Sequence, residues 1–306
     1  MKKLGAIVCI VLFGIMFNGC TKTETAKKDP VITWSNPADI SFGTLLSANQ
    51  LNATADIAGT FVYTPPIGSK PNEGANQDLK VDFTPIDIAT YNVASKIVKI
   101  NITKATTVND IEGNVYKIVT IGTQVWMAEN LKTTQYSNGD QIANVMDATA
   151  WATSTGGYCW YNNDATSYKA TYGALYNWKA IDLASNGGKN ICPTGWHIPT
   201  DAEWTTLTTT LGGESVAGGK MKESGTAHWT SPNTGATNES GFSALPTGVR
   251  YGANGFKWVG TSGSFWSSTS SDASNAWRRN IGNVGANVGR GIDDKQTGIS
   301  VRCVKD

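Results

Sequence analysis

The chain has 306 residues, a formal net charge of +1 and 16% charged residues, against roughly 25% in an average soluble protein. Nearly cancelling charge excludes the basic face of a nucleic-acid binder and the polybasic patch of a peripheral membrane protein. With only His197 and His228 present, a multi-histidine metal centre is excluded as well, and the length suits about two domains with separate cores.

Residues 1–19 read as an export signal. Lys2 and Lys3 precede an apolar run over 4–17, which is shorter than the ~20 residues a membrane-crossing helix needs. The run ends Phe17-Asn18-Gly19-Cys20, which resembles the lipobox of bacterial lipoproteins, departing from the commoner residues at Phe17 and Asn18. That resemblance implies diacylglycerol on Cys20 and a mature chain held in the lipid bilayer by N-terminal acyl chains, at the surface or periplasmic face of an outer membrane. Several acyl chains hold stably where one is marginal. Residues 20–29 are polar and read as a flexible tether.

Residues 30–104 contain one tryptophan, Trp34, and no cysteine. Apolar and polar residues alternate in Leu79-Lys80-Val81-Asp82-Phe83-Thr84 and again at Val98, Ile100 and Ile102, the period of a half-buried strand. Prolines at 37, 65, 66, 71 and 85 punctuate the strands. No helical period occurs, so a small β-sandwich is predicted. The blocks Ile32-Thr33-Trp34, Phe61-Val62-Tyr63-Thr64-Pro65, Gly74-Ala75-Asn76-Gln77 and Val81-Asp82-Phe83-Thr84-Pro85 resemble a bacterial immunoglobulin-like repeat. The resemblance implies an all-β immunoglobulin-like spacer.

Residues 108–306 hold the other tryptophans that follow the first unit and a different pattern. Asp110 to Asn114 reads as a turn between strands, as does Gly122-Thr123. A helix is predicted over 172–184, stopped by Asn186-Gly187-Gly188. A second helix begins at the capping box Thr200-Asp201-Ala202-Glu203, continues through Trp204, Leu207 and Leu211, and stops at Gly212-Gly213. Beyond it the chain is rich in Gly and Ser, with short strands predicted at 258–260 and 299–304. Two helices among many short strands make this part α+β.

Seven ordered blocks in this part resemble one family. Among them are Gln124-Val125-Trp126-Met127-Ala128-Glu129-Asn130-Leu131, Tyr172-Gly173-Ala174-Leu175-Tyr176-Asn177-Trp178 and Cys192-Pro193-Thr194-Gly195-Trp196-His197-Ile198-Pro199, followed by Phe265-Trp266-Ser267-Ser268-Thr269 and Ser300-Val301-Arg302-Cys303-Val304. The set is similar to the Fibrobacter succinogenes major paralogous domain, found in secreted and surface lipoproteins of Bacteroidetes-type bacteria. At the level of fold, Cys-Pro-x-Gly-Trp leading to a helix, with a final strand ending in cysteine, resembles the C-type-lectin-like fold. The ending at 298–303 is similar to formylglycine-generating enzymes, which share it. The lectin-like analogy implies a disulfide between Cys192 and Cys303 and leaves Cys159 as a buried small hydrophobe.

Motifs for catalysis are absent: there is no CxxC, Ser-x-x-Lys, Gly-x-Ser-x-Gly or His-Glu-x-x-His. His197 reads as a structural histidine and His228 as a loop residue without a partner. Asp293-Asp294 offers two calcium-type oxygens but reads as a solvated turn, so no cofactor is expected. Trp126, Trp178, Trp204 and Trp266 sit among apolar neighbours and read as core. Between residues 212 and 291 the candidate binding residues are Trp229, Asn233, Asn238, Glu239, Trp258, Trp277, Arg278, Arg279 and Arg290. Indoles beside amides and charges suit a glycan or an envelope protein, unless each indole pins its loop to the core instead. The function expected is a non-catalytic lectin-like binding module on an immunoglobulin-like stalk. The alternatives are a structural or assembly component of the envelope, and an enzyme of a type these motifs do not identify.

Overall fold

The computed structural model describes residues 26–306; the expected export signal and Cys20 lie outside the described residues. Among the described residues no helix is long and apolar enough to cross a membrane. Among the described residues the chain divides into two compact units, one ending at Lys104 and the other beginning at Ala105. Both are rich in β-strand, and the few helices belong to the second.

In the first unit, β1 (Ile32–Thr33), β2 (Ile40–Ser41), β3 (Thr54–Ala55), β4 (Gly59–Thr64), β5 (Gly74–Pro85) and β6 (Ala94–Thr103) follow in order. They form a four-stranded sheet in the order β2-β6-β5-β4 and a separate β1-β3 pair. The alternation read from sequence is the inward face: Leu79, Val81 and Phe83 of β5 and Val98, Ile100 and Ile102 of β6 are buried. Trp34, Leu46 and Leu51 complete one core with them. The predicted tether is shorter than its polar composition suggests. Lys28 N donates to Thr90 O and Asn92 N to Lys28 O, each at 2.9 Å. Asn92 Nδ2 adds a bond to Asp29 Oδ1 at 2.8 Å. Backbone pairing, which needs no apolar side chain, therefore brings the chain into the fold by Lys28.

The second unit opens with β7 (Thr107–Asn109), β8 (Val115–Ile121) and β9 (Gln124–Met127). Then come α1 (Ala148–Thr153), β10 (Tyr158–Cys159), α2 (Ala165–Tyr172), β11 (Leu175–Tyr176), α3 (Trp178–Ile181) and β12 (Trp196–His197). The helices α4 (Asp201–Thr210) and α5 (Glu214–Met221) follow. Last are β13 (Thr247–Arg250), β14 (Phe256–Val259), β15 (Ser262–Ser270), β16 (Asn275–Gly282), β17 (Val288–Asp294) and β18 (Val304–Lys305). One sheet runs β12-β18-β9-β8-β7, so β18 pairs with β9 near the start of the second unit; another runs β15-β16-β17.

Three expectations need correction. The helix predicted over 172–184 lies instead over α2, which stops where that prediction starts. Gly173 takes a φ of +74° there and turns the chain out of the helix. Leu175 and Trp178 are buried as expected, but from β11 and the one-turn α3, while Leu183 is exposed. Second, helix α5 forms at the start of the stretch expected to be Gly- and Ser-rich with short strands, and it continues through Gly218-Gly219. A Cβ at Gly218 would come within 2.3 Å of Asn287 O, so glycine lets the helix lie directly on the backbone beside β17. Third, residues 299–303 form no regular strand. Their backbone bonds go to several segments: Ile299 and Tyr176 exchange both, and Ser300 O accepts from Trp266, Val301 O from Leu131 and Cys303 O from Met127.

The helix from Thr200 is as predicted. Thr200 Oγ1 accepts from Glu203 N at 3.2 Å and Glu203 Oε2 accepts from Thr200 N at 2.8 Å. Trp126, Trp178, Trp204 and Trp266 are all core. Cys192 and Cys303 are joined in a disulfide. Cys159 is free and buried, and burial pushes its thiol up to about 11.

Candidate functional site

The three-stranded sheet β15-β16-β17 sorts the predicted binding residues by parity. Residues opposite one another across the ladder point the same way, and the register sets Phe265 against Arg279 and Arg290, and Trp266 against Arg278 and Gly291. Arg278, Asn280 and Gly282 therefore share one face; Trp277, Arg279 and Ile281 share the other.

The Arg279 face is committed to helix α4. The Arg279 side chain is fully buried, and its Nη1 lies 2.6 Å from Asp201 Oδ1. Its Nη2 donates to Thr205 Oγ1 at 3.0 Å. Arg290 reaches the same carboxylate, with Nη2 2.9 Å from Asp201 Oδ2, and its guanidinium lies 3.5 Å from the centre of the Trp277 ring. Burial opposes the charged form of Asp201, but hydrogen bonds from Arg290 and Arg279 outweigh it and hold the carboxyl below its usual range. Trp277, Arg279 and Arg290 thus form an ion-pair cluster at the start of α4, and one face of the Trp277 indole is covered.

The other face carries a groove. It is lined by Trp258, Thr261, Ser262, Ser264, Arg278, Asn280, Gly282, Asn283 and Val284, and its volume is about 360 Å³. Trp258 is 50% exposed. Its indole stands edge-on to Tyr251, with ring centres 5.3 Å apart and planes at 87°. Its backbone has a φ of +68°, a conformation costly for a bulky side chain. It lies on β14, across from Gly248, which has a φ of +65°. This local departure from strand geometry sits next to the groove wall. Arg278 holds Asp293 through Nε at 2.7 Å. Of the predicted residues, then, only Trp258 and Arg278 line this groove together. Asn280 and Asn283 were missed; the alternation of polar Arg278 and Asn280 with apolar Trp277 and Ile281 marks Asn280 in sequence, whereas nothing local marks Asn283.

The remaining predicted residues lie outside this groove. Trp229 is core, not surface: it is 1% exposed, and its Nε1 donates to Ala244 O at 3.0 Å. Its Gly- and Ser-rich surroundings suggested a free loop, but Lys222 ties that loop down. The buried Lys222 ammonium donates to Thr234 O, Gly282 O and Gly285 O at 2.8–3.1 Å. Asn233 is also buried, its Nδ2 donating to Glu223 O at 2.9 Å. Asn238 bonds Ser243 through both its amide oxygen and nitrogen, and Glu239 pairs with Lys220 at 3.0 Å.

Neither histidine is isolated. His228 Nδ1 lies 2.9 Å from Glu223, which corrects the expectation of a partnerless loop residue. His197 bridges Glu203 at 2.8 Å and Asp306 at 2.6 Å. Burial favours its neutral form, yet the bonds to Asp306 and Glu203 prevail and raise its pKa. Asp293 and Asp294 end β17; Asp293 holds Arg278, and Asp294 Oδ1 accepts from Gln296 N at 2.7 Å. Among the described residues there is no group of three or more His, Cys, Asp or Glu arranged to hold a metal. A larger cleft of about 660 Å³ lies over β8, lined by Lys117, Lys132, Glu129 and Glu223 among others. It presents both signs of charge and no aromatic face.

No curated protein and no solved structure matches the chain. The family model described as the Fibrobacter succinogenes major domain does match, over residues 119–305. That span runs from within β8 to the end of β18 and takes in the disulfide, helix α4 and the grooved sheet. By this match over more than half its length, the chain belongs to the Fibrobacter succinogenes major domain family.

Proposed function

We propose that the chain is an envelope-anchored lipoprotein presenting a non-catalytic, C-type-lectin-like binding module on an immunoglobulin-like stalk, with the groove beside Trp258 as the ligand site. The observation that carries this reading is a half-exposed indole at the edge of a floor of Ser262, Ser264, Asn280 and Arg278. A pyranose has the matching surfaces, an apolar C–H face for the ring and a rim of hydroxyls for amides and hydroxyls. The two-sheet, strand-only first unit supports the stalk. The Cys192–Cys303 bridge, tying the chain end to the segment before α4, supports the lectin-like register.

The site is tested on a glycan array with the soluble mature chain. Trp258→Ala is expected to abolish binding while costing under about 1 kcal/mol of stability, as at a surface position. Trp277→Ala, whose ring Arg290 covers, is expected to leave binding intact. Full binding by the Trp258 variant would remove the groove from consideration. For the anchor, Cys20→Ser is expected to move the protein from the membrane to the soluble fraction. Persistent need for detergent would point to another attachment.

One observation favours the structural or assembly reading. Ile86, Ile88 and Val93 of the first unit are large, apolar and exposed, which suits a protein partner. Serine at Ile86 and Ile88 should then break a stoichiometric envelope complex without affecting glycan binding.

A further inference from the structure

Taking the groove as a ligand site, we infer that its ligand carries a carboxylate: an acidic pyranose, such as a uronic acid unit, stacked on Trp258 with its acid group on Arg278. The guanidinium of Arg278 is satisfied on one side only. Nε is engaged by Asp293 at 2.7 Å, but Nη1 is shut off from water and has no hydrogen-bond partner among the described residues. Nη2 is not among the atoms sealed in this way. The side chain is one-fifth exposed and lines the groove, so Nη2, not the sealed Nη1, is the end of the guanidinium that a ligand can reach. A carboxylate oxygen accepting from Nη2 makes a charge-assisted bond, roughly twice as strong as one to a neutral hydroxyl.

The surroundings favour the same class. Among the lining residues Arg278 is the only charged one, and no Asp or Glu lines the groove to repel an acid. The larger cleft over β8, with Glu129 and Glu223 in its wall, lacks that selectivity. Across the ladder from Arg278 stands Gly291; a Cβ there would lie 3.8 Å from the Arg278 Cζ. Glycine thus places no side chain against the guanidinium from β17. Trp258, held at a φ of +68° against Tyr251, supplies a preset stacking plane on the other wall.

The test uses the soluble mature chain and an array of uronic-acid oligosaccharides beside the same oligosaccharides with each carboxyl reduced to a primary alcohol. Acidic chains are expected to bind at least tenfold more tightly than their reduced forms. Arg278→Gln should erase that preference. Because Arg278→Gln also frees Asp293, Gly291→Val serves as a second variant: it leaves the ion pair in place and sets methyl groups against the guanidinium. It should weaken acidic glycans selectively, with an unchanged unfolding midpoint. Equal binding of acidic and reduced chains, both lost in Trp258→Ala, would overturn the carboxylate and keep the groove. Binding to neither overturns both.

Discussion

Replacing Cys192 and Cys303 together with alanine is expected to destabilise the second unit by roughly 4–5 kcal/mol, the loop-entropy value for a bridge spanning about 110 residues. The two cysteines are 111 positions apart and both wholly buried, so alanine adds no polar group to the core. What the bridge restrains is the irregular run 299–303, which crosses the middle of the unit and bonds to Tyr176, Trp266, Leu131 and Met127 without belonging to a regular ladder there. A segment bonded to so many partners has to be brought to all of them at once, and a covalent tie in the unfolded chain reduces that entropy. Chemical denaturation of the oxidised protein and the double variant measures the difference. A loss below about 2 kcal/mol would mean that packing of 299–303 alone holds the chain end in place. Peptide mapping without reductant should find Cys192 linked to Cys303, with Cys159 alkylated only after denaturation.

Arg302→Leu is expected to cost roughly 3–5 kcal/mol, comparable to removing one member of a buried charged pair. The residue is wholly buried next to the bridge. Its Nε donates to Asn130 Oδ1 at 2.8 Å and its Nη2 to Ser243 O at 2.9 Å. Nη1 donates to Met127 O at 3.2 Å and also to Phe242 O. The guanidinium centre stands 4.3 Å from the Phe242 ring centre. None of these acceptors is a carboxylate. Burial therefore lowers the pKa of Arg302, with the charge of Glu129 acting in the opposite direction. One planar fork closes the gaps between β9, the 242–243 turn and the chain end. Leucine would fill part of the volume and leave several buried oxygens without a donor. Arg302→Lys should recover little, because an ammonium cannot span the same four acceptors. Stability within about 1 kcal/mol of the parent in both variants would mean that water takes over the acceptors.

Local rules carried the sequence reading where the cause is local. The period-two faces of Leu79, Val81 and Phe83 and of Val98, Ile100 and Ile102 are core, because alternation and burial are the same fact seen from chain and from sheet. The Thr200 capping box needs only four consecutive residues and starts its helix as expected. The helix expected over 172–184 failed because Gly173 ends α2 at Tyr172, and the residues that follow form the strand β11 and the one-turn α3 capped by Asn177. Lys28 was unreadable for another reason, since its partner Thr90 is remote in sequence.

For the candidate site the division is sharper. Composition and pattern alone determined a strand-rich first unit, an α+β second unit and the core tryptophans, and marked residues 212–291 as the stretch to search for a binding region. Which of nine candidate side chains line the groove was decided only by the tertiary structure. Trp229 and Trp258 look alike in sequence, each in a Gly- and Ser-rich stretch. One is sealed by the Lys222 clamp and the other stands half in solvent. Arg278 and Arg279 are adjacent, yet strand parity sends one to the groove and the other to Asp201. Which parity faces outward depends on where helix α4 packs, and that is a contact between residues some 78 positions apart. A side chain's exposure is a property of what covers it, and the covering residues lie elsewhere in the chain.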